Sequence, residues 1–223
     1  MRNGTLYIVA TPIGNLDDLS DRAKKTLAEV SVVLCEDTRV TGKLFERFEI
    51  KTQRSTFHQH TNEKQLTGIV DLLKSGKTIA LVSDAGTPSI SDPGGKLVAA
   101  AVEAGIDVVP IPGPCAAIAA LSASGFPADK FTFLGFPPNK KGRNKYFSQL
   151  DEINHTVVIY ESKHRIMKTL EALPQDRPIM VARELTKMHE TLYRGLPADV
   201  ATQIESTSSK GEFVIVIAPA SKF

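Results

Sequence analysis

Apolar runs and polar stretches alternate through the first half of the chain in a way typical of strands followed by helices. Four short apolar runs predict strands: Leu6 to Ala10, Val32 to Cys35, Thr78 to Val82 and Asp107 to Val109. Between them, Ser20 is placed to cap a helix that carries Ala23 and Leu27 on one face. Glu63 to Lys74 repeats the same apolar period. The pattern predicts βα units around a parallel sheet.

Proline and glycine mark the predicted boundaries. Asp92 and Pro93 fit the cap and the first position of a helix that runs toward Ala104. Residues 109–114, Val-Pro-Ile-Pro-Gly-Pro, interrupt regular structure, and a small-residue helix from Cys115 to Ser124 follows. We therefore predict an N-terminal α/β domain of residues 1–113 and a C-terminal α/β domain of residues 114–223.

The second half has a different pattern, with more strands and shorter helices. Its predicted strands are Phe131 to Leu134, Thr156 to Tyr160, Ile179 to Arg183, Thr191 to Arg194 and Glu212 to Ala218. Its predicted helices are Asn144 to Leu150, Ile166 to Leu173 and Ala198 to Glu205. This order favours a mixed or antiparallel sheet with helices.

Composition narrows the class of protein. The chain has 223 residues, 42% of them hydrophobic, and a formal net charge of +2, which describes a globular protein rather than a disordered or strongly polyanion-binding one. The two cysteines, Cys35 and Cys115, lie too far apart in sequence to suggest a disulfide framework or a zinc motif. No apolar run reaches membrane-spanning length, and Leu6 to Ala10 is too short for a signal-peptide core. We expect a cytoplasmic protein that is not inserted in a membrane.

Several familiar motifs are incomplete. Gly76-Lys77-Thr78 ends like a P-loop, but position 71 holds Asp71 where that motif needs glycine. No G-x-G-x-x-G sequence follows the first strand, which disfavours a conventional dinucleotide fold. His58 and His60 lack a third ligand at metal-site spacing, so we expect no metal, and a metal-dependent hydrolase is a weak alternative.

Three loops rich in small and turn-forming residues follow predicted strands. They are residues 11–15 (Thr-Pro-Ile-Gly-Asn), 83–95 and 112–116 (Pro-Gly-Pro-Cys-Ala). In an open α/β sheet, ligands bind at the carboxyl ends of the strands, where residues without bulk let the backbone approach them. We expect these loops to converge on one rim and to bind a ligand.

A basic loop is the candidate for nucleic-acid contact. Residues 138–145 hold Lys140, Lys141, Arg143 and Lys145 on a segment with turn-forming residues. Such a cluster can bind phosphates, although a solvated surface loop is the ordinary alternative. We expect RNA binding at these four residues.

Six segments along the chain together resemble a known superfamily. They are Thr11 to Asn15, Ser83 to Gly94, Pro112 to Pro114, Tyr160 to Ser162 with His164-Arg165, Ala182 to Lys187 and Gly211 to Phe213. In this order, over nearly the whole chain, they are similar to the tetrapyrrole methylase superfamily of S-adenosylmethionine enzymes, in its branch that methylates small-subunit ribosomal RNA. That branch usually has serine where Cys115 stands and proline where Lys163 stands.

The resemblance implies a fold and a reaction. The fold is a two-domain tetrapyrrole methylase-like α/β architecture with a ligand cleft between the domains, usually in a homodimer. The reaction is methylation of the 2′-hydroxyl of a cytidine in 16S ribosomal RNA, with S-adenosylmethionine as donor and no metal. The substrate is the RNA or the 30S subunit.

The resemblance also implies donor-site residues, which are Pro12, Ile13, Gly14, Asp84, Ala85, Gly86, Thr87, Cys115, Ala116, Tyr160, Ala182 and Glu212. Methyl transfer depends on aligning the nucleophile, the methyl group and sulfur, and a ribose hydroxyl must also lose a proton. Glu184 and Glu161 are the hypothesised bases. Arg183 and Lys187 are placed to hold phosphate or to stabilise a developing alkoxide.

Two alternatives stay open at this point. The first keeps the fold and the donor but methylates a tetrapyrrole carbon, since fold does not fix the substrate. The second is a non-catalytic relative that binds the ribosome. The basic loop and residues 182–187 argue against the first alternative. The dense set of special loop residues, which core packing would not require, argues against the second.

Overall fold

The computed structural model describes residues 3–220, which form ten β-strands, eight α-helices and two short 3-10 helices, Leu16–Asp18 and Gln149–Glu152. The chain divides into two compact units, residues 1–115 and 116–223. Our sequence-based boundary, after residue 113, lies two residues before this division, and the domain assignment stays a prediction. Each unit is described by itself below.

The first unit is built on a five-stranded parallel sheet. Its strands are β1 (Thr5–Val9), β2 (Val32–Cys35), β3 (Arg54–Thr56), β4 (Ile79–Leu81) and β5 (Asp107–Ile111), in the spatial order β3-β2-β4-β1-β5. Its helices are α1 (Asp21–Glu29), α2 (Thr38–Arg47), α3 (Glu63–Lys74) and α4 (Gly95–Glu103). The predicted parallel sheet with alternating helices is confirmed. The sequence pattern missed α2 and β3.

Strand residues alternate between two helix-covered faces, as a parallel sheet requires. On one face, Val9 and Val33 pack in a core cluster with Leu27 of α1. On the other face, Leu6 and Leu34 belong to a second cluster, which includes side chains from α3 and α4. The Ser20 cap of α1 is confirmed, because its side chain accepts a hydrogen bond from the backbone N–H of Ala23.

The predicted cap at Asp92 is wrong. Helix α4 begins at Gly95, and its cap residue is Gly94, with φ of 140° and no side-chain hydrogen bond. The preceding residues Ser89 and Ser91 have φ of 70° and 62°, so the chain turns sharply before the helix starts. The Asp92 carboxyl instead is partly buried, and this burial raises its pKa.

The second unit contains a mixed five-stranded sheet, which confirms the predicted class. Its strands are β6 (Phe131–Phe133), β7 (Thr156–Ser162), β8 (Ile179–Arg183), β9 (Thr191–Gly195) and β10 (Glu212–Ile217), in the order β6-β7-β10-β8-β9. Its helices are α5 (Ala116–Ser124), α6 (Arg143–Ser148), α7 (Ile166–Ala172) and α8 (Pro197–Thr207). Strands β6 and β7 are parallel, and the other neighbours are antiparallel.

One core cluster joins this sheet to its helices. Val157 and Ile159 of β7, Ile166 of α7 and Ile204 of α8 all belong to it and are fully buried. Their apolar surface, removed from water, stabilises the unit by about 25 cal/mol per Å². The helix α8 begins at Pro197, where proline's fixed φ and missing N–H suit a first helical position.

Strand direction brings distant segments to one edge of this sheet. Strand β10 is antiparallel to both β7 and β8, and Glu212 pairs with Ser162 while Phe213 pairs with Arg183. The ends of β7 and β8 therefore lie beside the start of β10. We call this the reactive edge; it comprises residues 160–165, 182–190 and 210–212.

Within residues 3–220, no helix has the length and apolar character that a membrane crossing requires.

Candidate functional site

In the first unit, the three predicted loops follow adjacent strands and are joined to one another. The backbone N–H of Thr11 donates to the carbonyl of Gly86 at 2.9 Å, and the Gly86 N–H donates to the Thr11 carbonyl at 3.1 Å. The Thr87 hydroxyl donates to the carbonyl of Pro114 at 3.0 Å. These contacts connect the loops after β1, β4 and β5 into one rim, as the strand order predicts.

Glycine allows the close approach of these loops. Gly86 has φ of +85°, and a Cβ placed on it would lie 3.3 Å from Cγ2 of Ile13. A Cβ on Gly113 would lie 3.0 Å from the Cβ of Ala10. A side chain at either position would press against the neighbouring segment, so glycine there lets the loops pack closely together.

The predicted donor-site residues of this unit fall on the rim. Pro12, Ile13 and Gly86 are buried, whereas Gly14, Asp84 and Ala85 are exposed, and Thr87 and Cys115 are partly exposed. The structure thus brings together eight of the twelve predicted positions within one unit. Their role in donor binding stays a prediction.

An acidic neighbour of the rim escaped the sequence analysis. The backbone N–H of Asp37 donates to Oδ1 of Asp84 at 3.1 Å. Burial, followed by the charges of Asp92 and Asp84, raises the pKa of Glu36 to about 7. The available signal was position, because Glu36 directly follows the buried strand β2 and so lies at the carboxyl edge of the same parallel sheet.

In the second unit, Tyr160 connects two of the predicted donor-site segments. Its hydroxyl accepts a hydrogen bond from the backbone N–H of Ala117 at 3.1 Å, in the first turn of α5. Its ring packs edge-on against Phe133 and Phe136, with centroids 4.8 and 5.5 Å away. Tyr160 therefore fixes the start of α5, where the predicted residue Ala116 lies.

The reactive edge carries a compact group of charged side chains. Nζ of Lys187 lies 3.0 Å from Oε1 of Glu184 and 2.7 Å from Oε2 of Glu212. Oε1 of Glu184 also accepts the backbone N–H of Glu212 at 2.9 Å. Three of the predicted residues, distant in sequence, therefore form one hydrogen-bonded cluster.

Backbone geometry holds Glu184 in this cluster. Glu184 and Thr186 have φ of 52° and 62°, a left-handed conformation that costs about 1–3 kcal/mol per residue outside glycine. A Cβ on Gly211 would lie 2.7 Å from Cγ of Glu184 and 2.9 Å from its Oε1. Glycine at position 211 therefore makes room for the Glu184 side chain.

The cluster also sets the charge state of its members. Burial acts to raise the pKa of Glu184, but hydrogen bonds from Lys187 and the Glu212 backbone, with the charges of Lys187 and Arg183, outweigh it and lower that pKa. Burial acts to lower the pKa of Lys187, but Glu212 and Glu184 outweigh it and raise that pKa. At neutral pH the pair is a carboxylate and an ammonium.

Arg183 forms one wall of a groove beside this cluster. Its Nε donates to the carbonyl of Lys210 at 2.6 Å, and a terminal nitrogen donates to the carbonyl of His189 at 3.3 Å. The groove is open, with a volume of ≈ 750 Å³, and Glu184 and Gly211 also line it. Arg183 thus ties the β8–β9 turn to the start of β10.

Glu161 is held differently from Glu184, and its geometry counts against the hypothesised role as base. The Glu161 side chain is fully buried, and Oε1 lies 2.8 Å from the Arg165 guanidinium. Its Oε1 also accepts the Ser162 N–H at 2.7 Å, while Oε2 accepts the Thr169 hydroxyl at 2.5 Å. Because both oxygens already accept hydrogen bonds away from solvent, we assign this carboxylate to the packing of β7 against α7.

Two further predicted positions have surroundings that the sequence did not suggest. Ala182 has no exposed surface and lies in β8 between β9 and β10, so its side chain offers nothing to a ligand.

Arg143, predicted to bind RNA, turns inward instead. Its guanidinium donates to Thr169 at 2.9 Å and lies 4.8 Å from the centroid of the Phe147 ring. Lys140, Lys141 and Lys145 are exposed.

Metal-binding residues do not cluster in the described part of the chain. Between residues 3 and 220, no group of three or more His, Cys, Asp and Glu side chains has a geometry that could hold a metal ion. His58 and His60, the candidate pair, have ring centroids 6.2 Å apart. Cys35 and Cys115 are free cysteines that form no disulfide with each other.

Comparison with known proteins decides the family. The model of the family "Tetrapyrrole (Corrin/Porphyrin) Methylases" matches residues 5–201, which is most of the chain. This chain belongs to the tetrapyrrole methylase family. The resemblance inferred from the six sequence segments is therefore confirmed.

Two curated relatives of this tetrapyrrole methylase carry the same name. The chain is 46% identical to "Ribosomal RNA small subunit methyltransferase I" of Synechocystis sp., over 97% of this chain and 80% of that protein. It is 48% identical to the protein of the same name from Vibrio cholerae, over 95% of this chain and 76% of that protein.

Solved structures confirm the tetrapyrrole methylase fold. A cobalt precorrin-4 methyltransferase matches with a TM-score of 0.69 and 18% identity, over 96% of this chain and 94% of that chain. The uroporphyrin-III C-methyltransferase of Thermus thermophilus, complexed with S-adenosyl homocysteine, matches with a TM-score of 0.65 and 17% identity, over 96% and 97% of the two chains.

Proposed function

We propose that this tetrapyrrole methylase transfers a methyl group from S-adenosylmethionine to the 2′-hydroxyl of a cytidine in small-subunit ribosomal RNA. The observation that carries the proposal is the similarity to proteins named for small-subunit ribosomal RNA, at 46–48% identity over at least 95% of this chain. The solved neighbours named for uroporphyrin and precorrin substrates share only 16–21% identity. We also predict a homodimer and a cytoplasmic location.

The methyl donor is proposed to bind at the rim of the first unit. Support comes from the joined loops after β1, β4 and β5, where Gly86 and Gly113 let neighbouring segments approach closely. When bound, S-adenosylmethionine supplies an electrophilic methyl group and departs as S-adenosyl homocysteine. The rigid loops contribute orientation, which is the main requirement of an in-line displacement.

Glu184 is the proposed proton acceptor. The ribose oxygen forms a bond to the methyl carbon as the carbon–sulfur bond breaks, and the hydroxyl proton must leave oxygen. Once oxygen carries the methyl group, its proton is far more acidic than a carboxylic acid, so a carboxylate with a lowered pKa can accept it. This assignment favours proton loss during or after methyl transfer.

Lys187 is the proposed positioning and electrostatic group. Its ammonium lies between Glu184 and Glu212 and holds the Glu184 carboxylate by one oxygen, Oε1. The same positive charge is proposed to hold a phosphate group of the RNA. Arg183 is proposed to support this arrangement by fixing the backbone of residues 189 and 210.

The decisive experiment supplies methyl-labelled S-adenosylmethionine and small ribosomal subunits from cells that lack this modification. The labelled RNA is digested with nuclease, and the modified nucleoside is identified by mass spectrometry. Label on a cytidine ribose supports the proposal. Label on a base, or transfer only to a tetrapyrrole offered in parallel, would reject it.

A further inference from the structure

Two short segments of the second unit have an unusual charge balance. Residues 136–145 and 162–168 together contain seven lysines and arginines and no aspartate or glutamate. The chain as a whole has a net charge of only +2, so this is a local concentration of charge. Two of the seven, Arg143 and Arg165, are partly buried, whereas the five lysines are exposed.

The structure joins these segments through Arg165. Its guanidinium donates to the carbonyl of Pro137 at 2.8 Å and also to the side chain of Asn139. The same guanidinium contacts the buried carboxylate of Glu161, which neutralises its charge. Arg165 therefore connects the turn that contains Lys163 to the loop that contains Lys140.

An exposed aromatic ring lies at the start of this loop. Phe136 is 51% exposed. Its inner side contacts Tyr160, with ring centroids 5.5 Å apart, so the ring is held in place while its other side remains open. Proteins that bind single-stranded nucleic acids combine exposed aromatic rings with lysines and arginines. The bases stack on the rings, and the phosphates pair with the cations.

We propose that Phe136, Lys140, Lys141, Lys163 and His164 form one binding surface for single-stranded RNA, with Phe136 as the stacking platform. We call it the lysine surface. It includes Lys163 and His164, which follow β7 directly. Both residues belong to the reactive edge, where Glu184 also lies. The inference rests on the proposed function, because the RNA bound at the lysine surface would be the strand whose ribose is methylated at the reactive edge.

The test measures binding of a fluorescein-labelled single-stranded RNA by anisotropy over a series of salt concentrations. Replacing Lys140, Lys141 and Lys163 by alanine should reduce the slope of log affinity against log salt by about 2, since each phosphate contact contributes roughly 0.7. Phe136→Ala should weaken binding roughly 5- to 150-fold with an unchanged salt slope, because stacking and not charge is lost.

Two controls separate the surface from general effects. Lys130→Ala removes an exposed lysine that precedes β6, at the opposite end of that strand from Phe136, and should leave RNA affinity and salt slope unchanged. Arginine at positions 140, 141 and 163 keeps the charge and should keep binding. Affinity for S-adenosyl homocysteine, measured on every variant, should stay at its original value.

The outcomes distinguish this inference from the proposed function. RNA binding that depends on the lysine surface, without methyl transfer to ribosomal RNA, would support the surface and reject the proposed function. Full methyl transfer and unchanged RNA affinity in the alanine variants would overturn the lysine surface, as would an equal loss in Lys130→Ala. The alanine variants could also keep their RNA affinity but lose binding to an acidic ribosomal protein. That result would overturn the lysine surface as an RNA site and assign its lysines to protein contact.

Discussion

The two units present their candidate site residues in different chemical forms. The rim of the first unit is made largely of backbone, in loops that hydrogen-bond to one another through Thr11, Gly86 and Thr87. The reactive edge of the second unit is made of charged side chains, with Lys187 between Glu184 and Glu212. One surface therefore offers shape and main-chain hydrogen bonds, and the other offers charge.

Under the proposed function, the two tasks of a methyltransferase are divided between these surfaces. Holding a donor requires a rigid cradle, and small residues with special φ values provide it at low cost in space. Moving a proton requires a group with a defined charge, and a hydrogen-bonded ion pair provides that. Variants in the rim should therefore change donor affinity, and variants in the reactive edge should change the rate of methyl transfer.

The largest expected effect is on turnover in Glu184→Gln. An amide cannot accept the ribose proton, so we expect kcat to fall roughly 100- to 10,000-fold while donor affinity changes little. Single-turnover methylation of small subunits measures the rate, and calorimetry measures donor binding. A normal rate would remove Glu184 as the proton acceptor.

Glu161→Gln should act on stability instead. Removing one partner of a buried ion pair leaves the Arg165 guanidinium without its counter-charge, which costs about 3–5 kcal/mol. Urea unfolding should show this loss, and the remaining folded protein should methylate at a near-normal rate. Glu171→Gln, at an exposed carboxylate on α7, the helix that packs against Glu161, is the matched control. A stable but inactive Glu161→Gln protein would restore Glu161 as a candidate base.

Gly86→Ala tests the rim. The added Cβ would lie 3.3 Å from Ile13, on a residue with φ of +85°, so the loop must shift or carry strain. We expect donor affinity to fall roughly 10-fold, which corresponds to about 1.4 kcal/mol. Gly142→Ala shares the positive φ but has no neighbour within 4 Å, so it controls for backbone strain alone. Equal donor affinity in both variants would contradict the rim assignment.

The smallest expected effect is a pH dependence of stability at Glu36. Its pKa of about 7 in the folded chain exceeds the ordinary value of 4.5, so the folded state binds more protons between these values. Stability from this group therefore falls as pH rises from about 4.5 to 7. Glu36→Gln should match the original protein at pH 4 and exceed its Tm at pH 8, by about 2–4 °C for each kcal/mol that the charged carboxylate costs the folded state. An equal Tm difference at both pH values would contradict the assigned pKa.

Most of the fold was predictable because apolar spacing reports burial directly. The strands of both sheets and helices such as Glu63–Lys74 follow this spacing. Strand β3 was missed because its three residues are all exposed. Helix α2 was missed because Thr41, one of its three buried residues, is polar and because Gly42 lies in its middle. In these elements, pairing and packing rather than a local pattern determine the structure.

Site residues were less predictable because side-chain partners come from distant segments. The sequence placed Arg143 on a solvated loop, yet Thr169 accepts its hydrogen bond from 26 positions away. The Asp92 cap failed because Ser89 and Ser91 adopt left-handed conformations that no local pattern predicts, and the helix begins only at Gly95. Glu184 and Glu212 were both chosen from motifs, but their contact through Lys187 depends on strand order.

Backbone hydrogen exchange with and without S-adenosyl homocysteine tests the division of tasks most directly. The account predicts that the ligand slows exchange in the three rim loops, residues 11–15, 83–90 and 112–117. Slower exchange confined to residues 182–190 and 210–212, with the rim unchanged, would contradict it and place donor binding at the reactive edge.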